Sequence, residues 1–159
     1  MTIAYIGVGS NQGDARGHVL KAFDELARLP DTCLAAHSSL YRSAPLDAPG
    51  QPDYVNAVAA LDTELSAAQL LAALQDLEHS HGRKRPYPNA PRTLDLDLLL
   101  YGDMSFASAM LTLPHPRMHE RAFVLAPLLE LDARLEIPGR GAARALLARC
   151  AGQRIERLD

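Results

Sequence analysis

No tryptophan occurs in the sequence, and aromatic residues make up only 5% of its 159 positions. A sheet that binds RNA stacks bases on exposed aromatics and presents a basic face. So sparse a set, with a formal net charge of -3, speaks against nucleic acid. Cysteine is almost as scarce. Cys33 and Cys150 stand in no CxxC or Cys/His spacing, which excludes a disulfide framework and fits a reducing, cytoplasmic setting; a bridge between these two stays open. No apolar run approaches the ~18 residues of a membrane span. The start, MTIAYIGVGSNQGD, lacks a basic region followed by a long apolar one, so a first strand is expected there and no signal peptide. The usual nucleotide cradles are missing too. There is no GxxxxGK[ST], and GVGSNQ fails GxGxxG because Gln12 stands where the last glycine belongs. Any nucleotide must be held by side chains.

What is present reads as one domain of ordinary globular composition, 48% apolar and 22% charged. Residues 3–8 read as a strand. Val19, Leu20, Phe23, Leu26 and Ala27 give residues 14–29 a helical period. Strands follow at 33–42 and 54–64, separated by the Pro-rich loop 43–53. Ser66 and Gln69 form a capping-box pattern ahead of the stripe Leu70, Leu71, Leu74 and Leu77, and Gly82 is placed to end that helix. The loop 83–91 carries three prolines and three cations. A strand at 92–102 and helices near 122–131 and 142–150 complete the chain. The order β-α-β-β-α-β predicts an α+β, ferredoxin-like βαββαβ core: an antiparallel sheet with both helices on one face, the other face free, and a C-terminal extension.

The segment APRTLDLDLLLYGD puts two carboxylates into what otherwise looks like core. Residues two apart on a strand share a face, so Asp95 and Asp97 point one way while Leu94, Leu96 and Leu98 point the other. The carboxylates stand about 7 Å apart by strand rise, a spacing that suits a hard divalent cation such as Mg²⁺ shared with substrate phosphates. The bland alternative is the solvated face of an amphipathic strand. Cations favour the first reading: Arg83, Lys84, Arg85 and Arg92 precede the pair, and His115, Arg117, His119 and Arg121 follow it. Arginine is the residue of choice for bidentate phosphate contacts. Tyr54 and Asn56 share a face by the same rule, and an aromatic plate beside a carboxamide suits a flat heterocycle. Gln75 and Glu78, three apart on the second helix, could line the edge of such a site or be ordinary solvated residues. His115 and His119 invite a zinc reading, but zinc needs a third ligand and a helical frame, and Pro114 and Pro116 argue against a helix; His115 fits better as a phosphate donor.

Together, YRSAPL, QPDYVNAV, LEHSHGRKR, PRTLDLDLLLYG and LPHPRMHERAFVLAPL closely resemble the 6-hydroxymethyl-7,8-dihydropterin pyrophosphokinases of folate biosynthesis, from Ile3 to about residue 138. The resemblance implies transfer of pyrophosphate from ATP to the pterin hydroxymethyl group, giving AMP, in a cytoplasmic and usually monomeric enzyme. It implies that Asp95 and Asp97 bind two Mg²⁺ on the ATP phosphates. Arg83 and Arg92 match the catalytic phosphate clamps, and His115 and Arg121 match phosphate contacts. Gln75, Glu78, Arg85, Leu98 and Thr112 match the rest of the ATP site. Tyr54 and Phe123 match two plates around the pterin, and Asn56 with Ser43, Ala44 and Leu46 matches its hydrogen-bonding edge. Four positions depart from the family pattern. Segment 83–91 is one residue short, Asn89 replaces a tryptophan (with Tyr87 nearby as a substitute), Met110 replaces an arginine, and Pro116 replaces an aromatic. Two other classes compete: a Mg-dependent phosphohydrolase using the same carboxylates, which leaves Tyr54 and Asn56 without a role, and a non-catalytic ferredoxin-like ligand-binding domain.

Overall fold

A computed structural model of the chain describes residues 1–45, 50–82 and 93–158. Strand β1 (Thr2–Ser10) leads through Asp14, whose carboxylate accepts the Gly17 N–H at 3.1 Å, into helix α1 (Ala15–Ala27). Strands β2 (Thr32–His37), β3 (Leu40–Ser43) and β4 (Tyr54–Thr63) follow, then α2 (Ala67–Ser80) and β5 (Asp95–Tyr101). The expected capping box closes α2: Gln69 N–H donates to Ser66 Oγ at 3.1 Å, and Ser66 N–H to Gln69 Oε1 at 2.9 Å. Gly82, at φ 75°, ends the helix in the left-handed conformation that only glycine adopts cheaply.

The predicted strand 33–42 is two strands. Ser38 breaks it, its Oγ accepting the Val58 N–H at 2.9 Å and donating to Ser39 O at 2.7 Å. A side chain thereby stands in for the ladder at the break. Both pieces pair antiparallel with β4, β4 with β1, and β1 with β5. The βαββαβ order is therefore realised as a fully antiparallel sheet with β1 and β4 in its middle. The C-terminal strand β10 (Ile155–Leu158), not expected from sequence, extends the sheet along β3.

Helices α1 and α2 cover one face. Val19, Ala22, Phe23 and Leu26 of α1 and Leu70 and Leu74 of α2 pack on Ala4, Ile6, Val8, Leu96 and Leu98. Leu20, expected in that stripe, is exposed. The other face is not free. Helix α3 (Ala122–Leu131) and helix α4 (Ala143–Ala148) lay Val124, Leu125, Leu128, Ala143 and Leu146 on Val58, Leu99 and Leu100. The reason is compositional: α3 is apolar on nearly every side and is stable only when buried. Two short hairpins complete the fold, β6 (Phe106–Ala107) with β7 (Thr112–Leu113), and β8 (Glu136–Ile137) with β9 (Gly141–Ala142). Among the described residues no helix is long and apolar enough to cross a membrane.

Candidate active site

The half of the second face left open by α3 and α4 carries the predicted residues. Directly paired residues of an antiparallel sheet share a face. Gly9 of β1 pairs with Asn56 on one side and Asp95 on the other; Gly7 pairs with Val58 and Asp97. Two ranks therefore cross the sheet, Asn56–Gly9–Asp95 and Val58–Gly7–Asp97, with glycine at the centre of each. The middle strand contributes no side chain; Leu99 lies over Gly7 and Val58 belongs to the core that α3 covers, so the backbone-floored trough lies at Gly9, between Asn56 and Asp95. Strand spacing puts its walls roughly 10 Å apart. A Cβ on Gly9 would lie 3.0 Å from Asn56 Oδ1 and 3.8 Å from the Tyr54 ring. The sequence signal for this trough was the GVG that fails as a dinucleotide fingerprint: small residues alternating with Val8 on a strand.

Both walls are anchored. Asn56 is buried, and its Nδ2 donates to Ser43 Oγ at 2.6 Å. Asn11, which sequence reasoning passed over, is buried at the end of β1 and donates to Gln51 Oε1 at 3.1 Å and Pro52 O at 3.3 Å. It ties the end of the 43–53 loop to the sheet. On the other wall, β5 carries a bulge: Tyr5 pairs with Leu100 and Ile6 with Leu98, so Leu99 is the extra residue. Leu99 O accepts the His115 N–H at 2.9 Å, fixing the entry to the 115–121 turn just after the cis Leu113–Pro114 peptide.

His115 is held by its surroundings in one form. Burial, with Arg121 and Arg117 nearby and Asp95 opposing them, pushes its pKa down to about 4. Its Nδ1 accepts the Arg117 N–H at 3.1 Å, so the neutral ring keeps its proton on Nε2 and presents it as a donor. Arg121 stands with its guanidinium 5.5 Å from the Phe123 ring centroid, and its buried Nε has no hydrogen-bond partner among the described residues. Gln153 of the C-terminal extension holds this turn, Nε2 donating to Glu120 O at 2.7 Å and Oε1 accepting the Ala122 N–H at 2.9 Å. His119 lies against its neighbour Glu120, Nε2 to Oε1 3.6 Å.

Other expected residues fall elsewhere. Leu98 is buried and turns its side chain into the helix-covered core, away from the face of the aspartates. Gln75 and Glu78 part company. Gln75 is exposed beside an apolar cleft of about 500 Å³, walled by Leu71 and Ala72 of α2 and by Phe106, Met110 and Leu111. Glu78 is buried and accepts the Leu96 N–H at 2.8 Å through Oε2. Thr112 is half-buried in β7, Ser43 is buried and Ala44 exposed. Leu46, Arg83, Arg85 and Arg92 lie outside the described residues, as do Tyr87 and Asn89.

The model of the 7,8-dihydro-6-hydroxymethylpterin-pyrophosphokinase (HPPK) family matches residues 5–133. The chain belongs to that family. It is 46% identical over 154 residues to the 2-amino-4-hydroxy-6-hydroxymethyldihydropteridine pyrophosphokinase of Pseudomonas aeruginosa, covering 97% of this chain and 95% of that protein. It is 41% identical to the Haemophilus influenzae pyrophosphokinase over 159 residues, 100% of this chain and 99% of that one. The mitochondrial folate synthesis bifunctional protein of Pisum sativum is 42% identical over 126 residues, 79% of this chain but 24% of the plant protein. The fold is that of an HPPK-DHPS crystallised in complex with substrates (TM-score 0.71, 11% identity, 93% of this chain). Wild-type Plasmodium falciparum HPPK-DHPS with pteroate is comparable (TM-score 0.70, 12% identity, 93% of this chain). This chain spans 43% and 42% of those two proteins. The quoted motifs all lie within the residues that the family model matches.

Proposed function

We infer that the chain transfers pyrophosphate from ATP to 6-hydroxymethyl-7,8-dihydropterin, giving AMP and the pterin diphosphate for folate biosynthesis, and that the glycine-floored trough is where the two substrates meet. The observation that carries the reading is the rank Asn56–Gly9–Asp95. It sets a heterocycle-binding carboxamide and a metal-binding carboxylate on one sheet face, with nothing between them but backbone.

Asp95 and Asp97 offer hard oxygen ligands from one strand face, half-buried, and that donor set fits Mg²⁺ carried in with ATP. Two Mg²⁺ ions would supply charge neutralisation on the triphosphate. The chain's own residues then do three things. Tyr54 and Asn56 orient the pterin so that its hydroxymethyl oxygen points along the trough toward the aspartates. His115 donates its Nε2–H to a phosphate oxygen without adding a charge, while Arg121 adds one. Gln75, Leu111 and the apolar cleft accept the flat face of the base, and Leu98 and Thr112 are assigned to the same nucleotide. Phe123 closes the pterin side. Arg83, Arg85 and Arg92 complete the phosphate contacts, and Ser43, Ala44 and Leu46 the pterin edge. Catalysis on this plan is positioning plus electrostatics, as expected for phosphoryl transfer. Two free cysteines, Cys33 exposed and Cys150 buried, suit a cytoplasmic enzyme; that it is a monomer rests on the family resemblance alone.

Resolving the nucleotide products tests the reading. AMP that forms only when the pterin is present is expected. ADP, or ATP breakdown without pterin, would transfer the chain to the phosphohydrolase class, which leaves Tyr54 and Asn56 unexplained.

A further inference from the structure

Glu78 occupies a place in α2 where the sequence pattern calls for a hydrophobic residue. Leu70, Leu74 and Glu78 are spaced four apart and are the three buried residues of the helix; Glu78 is 3% exposed. A carboxylate at a core position is costly unless its oxygens are bonded. Its Oε2 takes the N–H of Leu96 at 2.8 Å. Leu96 is the residue between Asp95 and Asp97. It sits opposite Val8 of β1, yet its N–H goes to α2, on the outer edge of β5. The hydrogen bond therefore clamps the strand midway between the two carboxylates from the side that β1 does not reach.

We propose that Glu78 is a positioning residue for the paired aspartates: by accepting the Leu96 N–H it fixes the β5 backbone so that both carboxylates face the trough at metal-binding spacing. The inference rests on the assignment of Asp95 and Asp97 to the metal. It gives the buried carboxylate the role that outer partners of metal ligands commonly have, whose loss costs about 10–100-fold in metal affinity or activity.

Three variants test it: Glu78→Gln, which keeps an acceptor and removes the charge, Glu78→Ala, which removes both, and Asp97→Asn. Hydrogen exchange of the Leu96 amide is measured by NMR in the substrate-free protein, and Mn²⁺ affinity with ATP by electron paramagnetic resonance. In Glu78→Ala the Leu96 amide should exchange faster and Mn²⁺ affinity should fall about 10–100-fold. Glu78→Gln should keep both near wild type. Asp97→Asn should lose Mn²⁺ affinity while the Leu96 amide stays protected. If the alanine variant does not fold, Glu78→Met fills the stripe without an acceptor and replaces it. Glutamine as damaging as alanine would overturn the proposal in favour of charge. Full Mn²⁺ affinity in Glu78→Ala, with loss in Asp97→Asn, would overturn it outright. Full affinity in Asp97→Asn would instead sink the metal assignment beneath it.

Discussion

At the scale of single residues, two glycines shape the candidate site as much as its side chains do. Asp95 with Asp97 and Tyr54 with Asn56 follow from a period of two and from the chemistry of carboxylates, rings and amides. Gly7 and Gly9 do their work by having nothing to read, and only the cross-strand register shows what stands on either side of them. Gly9→Ala tests this. Its new Cβ would sit 3.0 Å from Asn56 Oδ1, and Asn56 cannot yield freely because Ser43 holds its other end. Displacing an anchored buried amide costs about 1–2 kcal/mol, so pterin affinity should fall roughly tenfold. ATP affinity, measured on the same variant by calorimetry, should change little. Equal losses for both substrates would mean that the trough is not divided between them as drawn. Asn56→Ala should show the same selectivity for pterin over ATP. His115 has a prediction of its own in the substrate-free protein. Its folded pKa of about 4 lies below the ordinary 6.5, so the unfolded chain binds the extra proton between those values and stability falls as pH drops through that window. His115→Asn should flatten that part of the stability curve, read by denaturant unfolding at stepped pH.

At the scale of elements, caps and stripes were readable because they are local. The Ser66–Gln69 box and Gly82 terminate α2 as expected. The break at Ser38 and the bulge at Leu99 were not readable, because each exists only through a partner on another strand. A tertiary clamp of the same kind supports the Asn56 side of the sheet. Tyr41, paired with Asn56 across β3 and β4, donates its hydroxyl to the Glu130 carboxylate of α3, which also accepts the Ser39 N–H at 3.1 Å. Burial, then Glu130, raises the Tyr41 pKa to about 12. Burial pushes the Glu130 carboxyl up, but the bonds from Tyr41 and Ser39 outweigh it and hold its pKa low. Tyr41→Phe should destabilise by about 1.5–3 kcal/mol at neutral pH, the worth of a hydrogen bond to a charged group. The sign of the pH dependence follows. The depressed carboxyl contributes stability above the ordinary glutamate range, lost as pH falls through its folded value. The raised tyrosine contributes below pH 10, lost as pH rises toward about 12. Urea midpoints of wild type and variant should therefore converge at both extremes; a gap that persists in acid would deny Glu130 its part.

At the scale of the whole molecule, the sheet has two different faces, and sequence order alone did not say so. The βαββαβ order led to the expectation of one free face, but α3 and α4 bury part of it, and among the described residues the candidate site falls at the end near Asn56 and Asp95. The C-terminal extension, which adds little to the family resemblance, secures that division. Gln153 bonds Glu120 O and Ala122 N–H from 33 and 31 residues away, and Ala122 is buried. Those are the residues on either side of Arg121, and Phe123 follows directly. Gln153→Ala would leave a buried main-chain donor without its partner, at about 1–3 kcal/mol. For a chain of this length each kcal/mol lowers Tm by about 2–4 °C. The loss should not stop at stability. If Arg121 holds the ATP phosphates as proposed, releasing the 120–122 backbone should raise KM for ATP well below the melting range while pterin affinity changes less. Deleting residues 154–159 removes β10 but spares Gln153, and should lower Tm without raising that KM. If the two variants behave alike, the extension matters only as bulk on the sheet edge; if they separate as expected, the last turn of the chain is a working support of the ATP site.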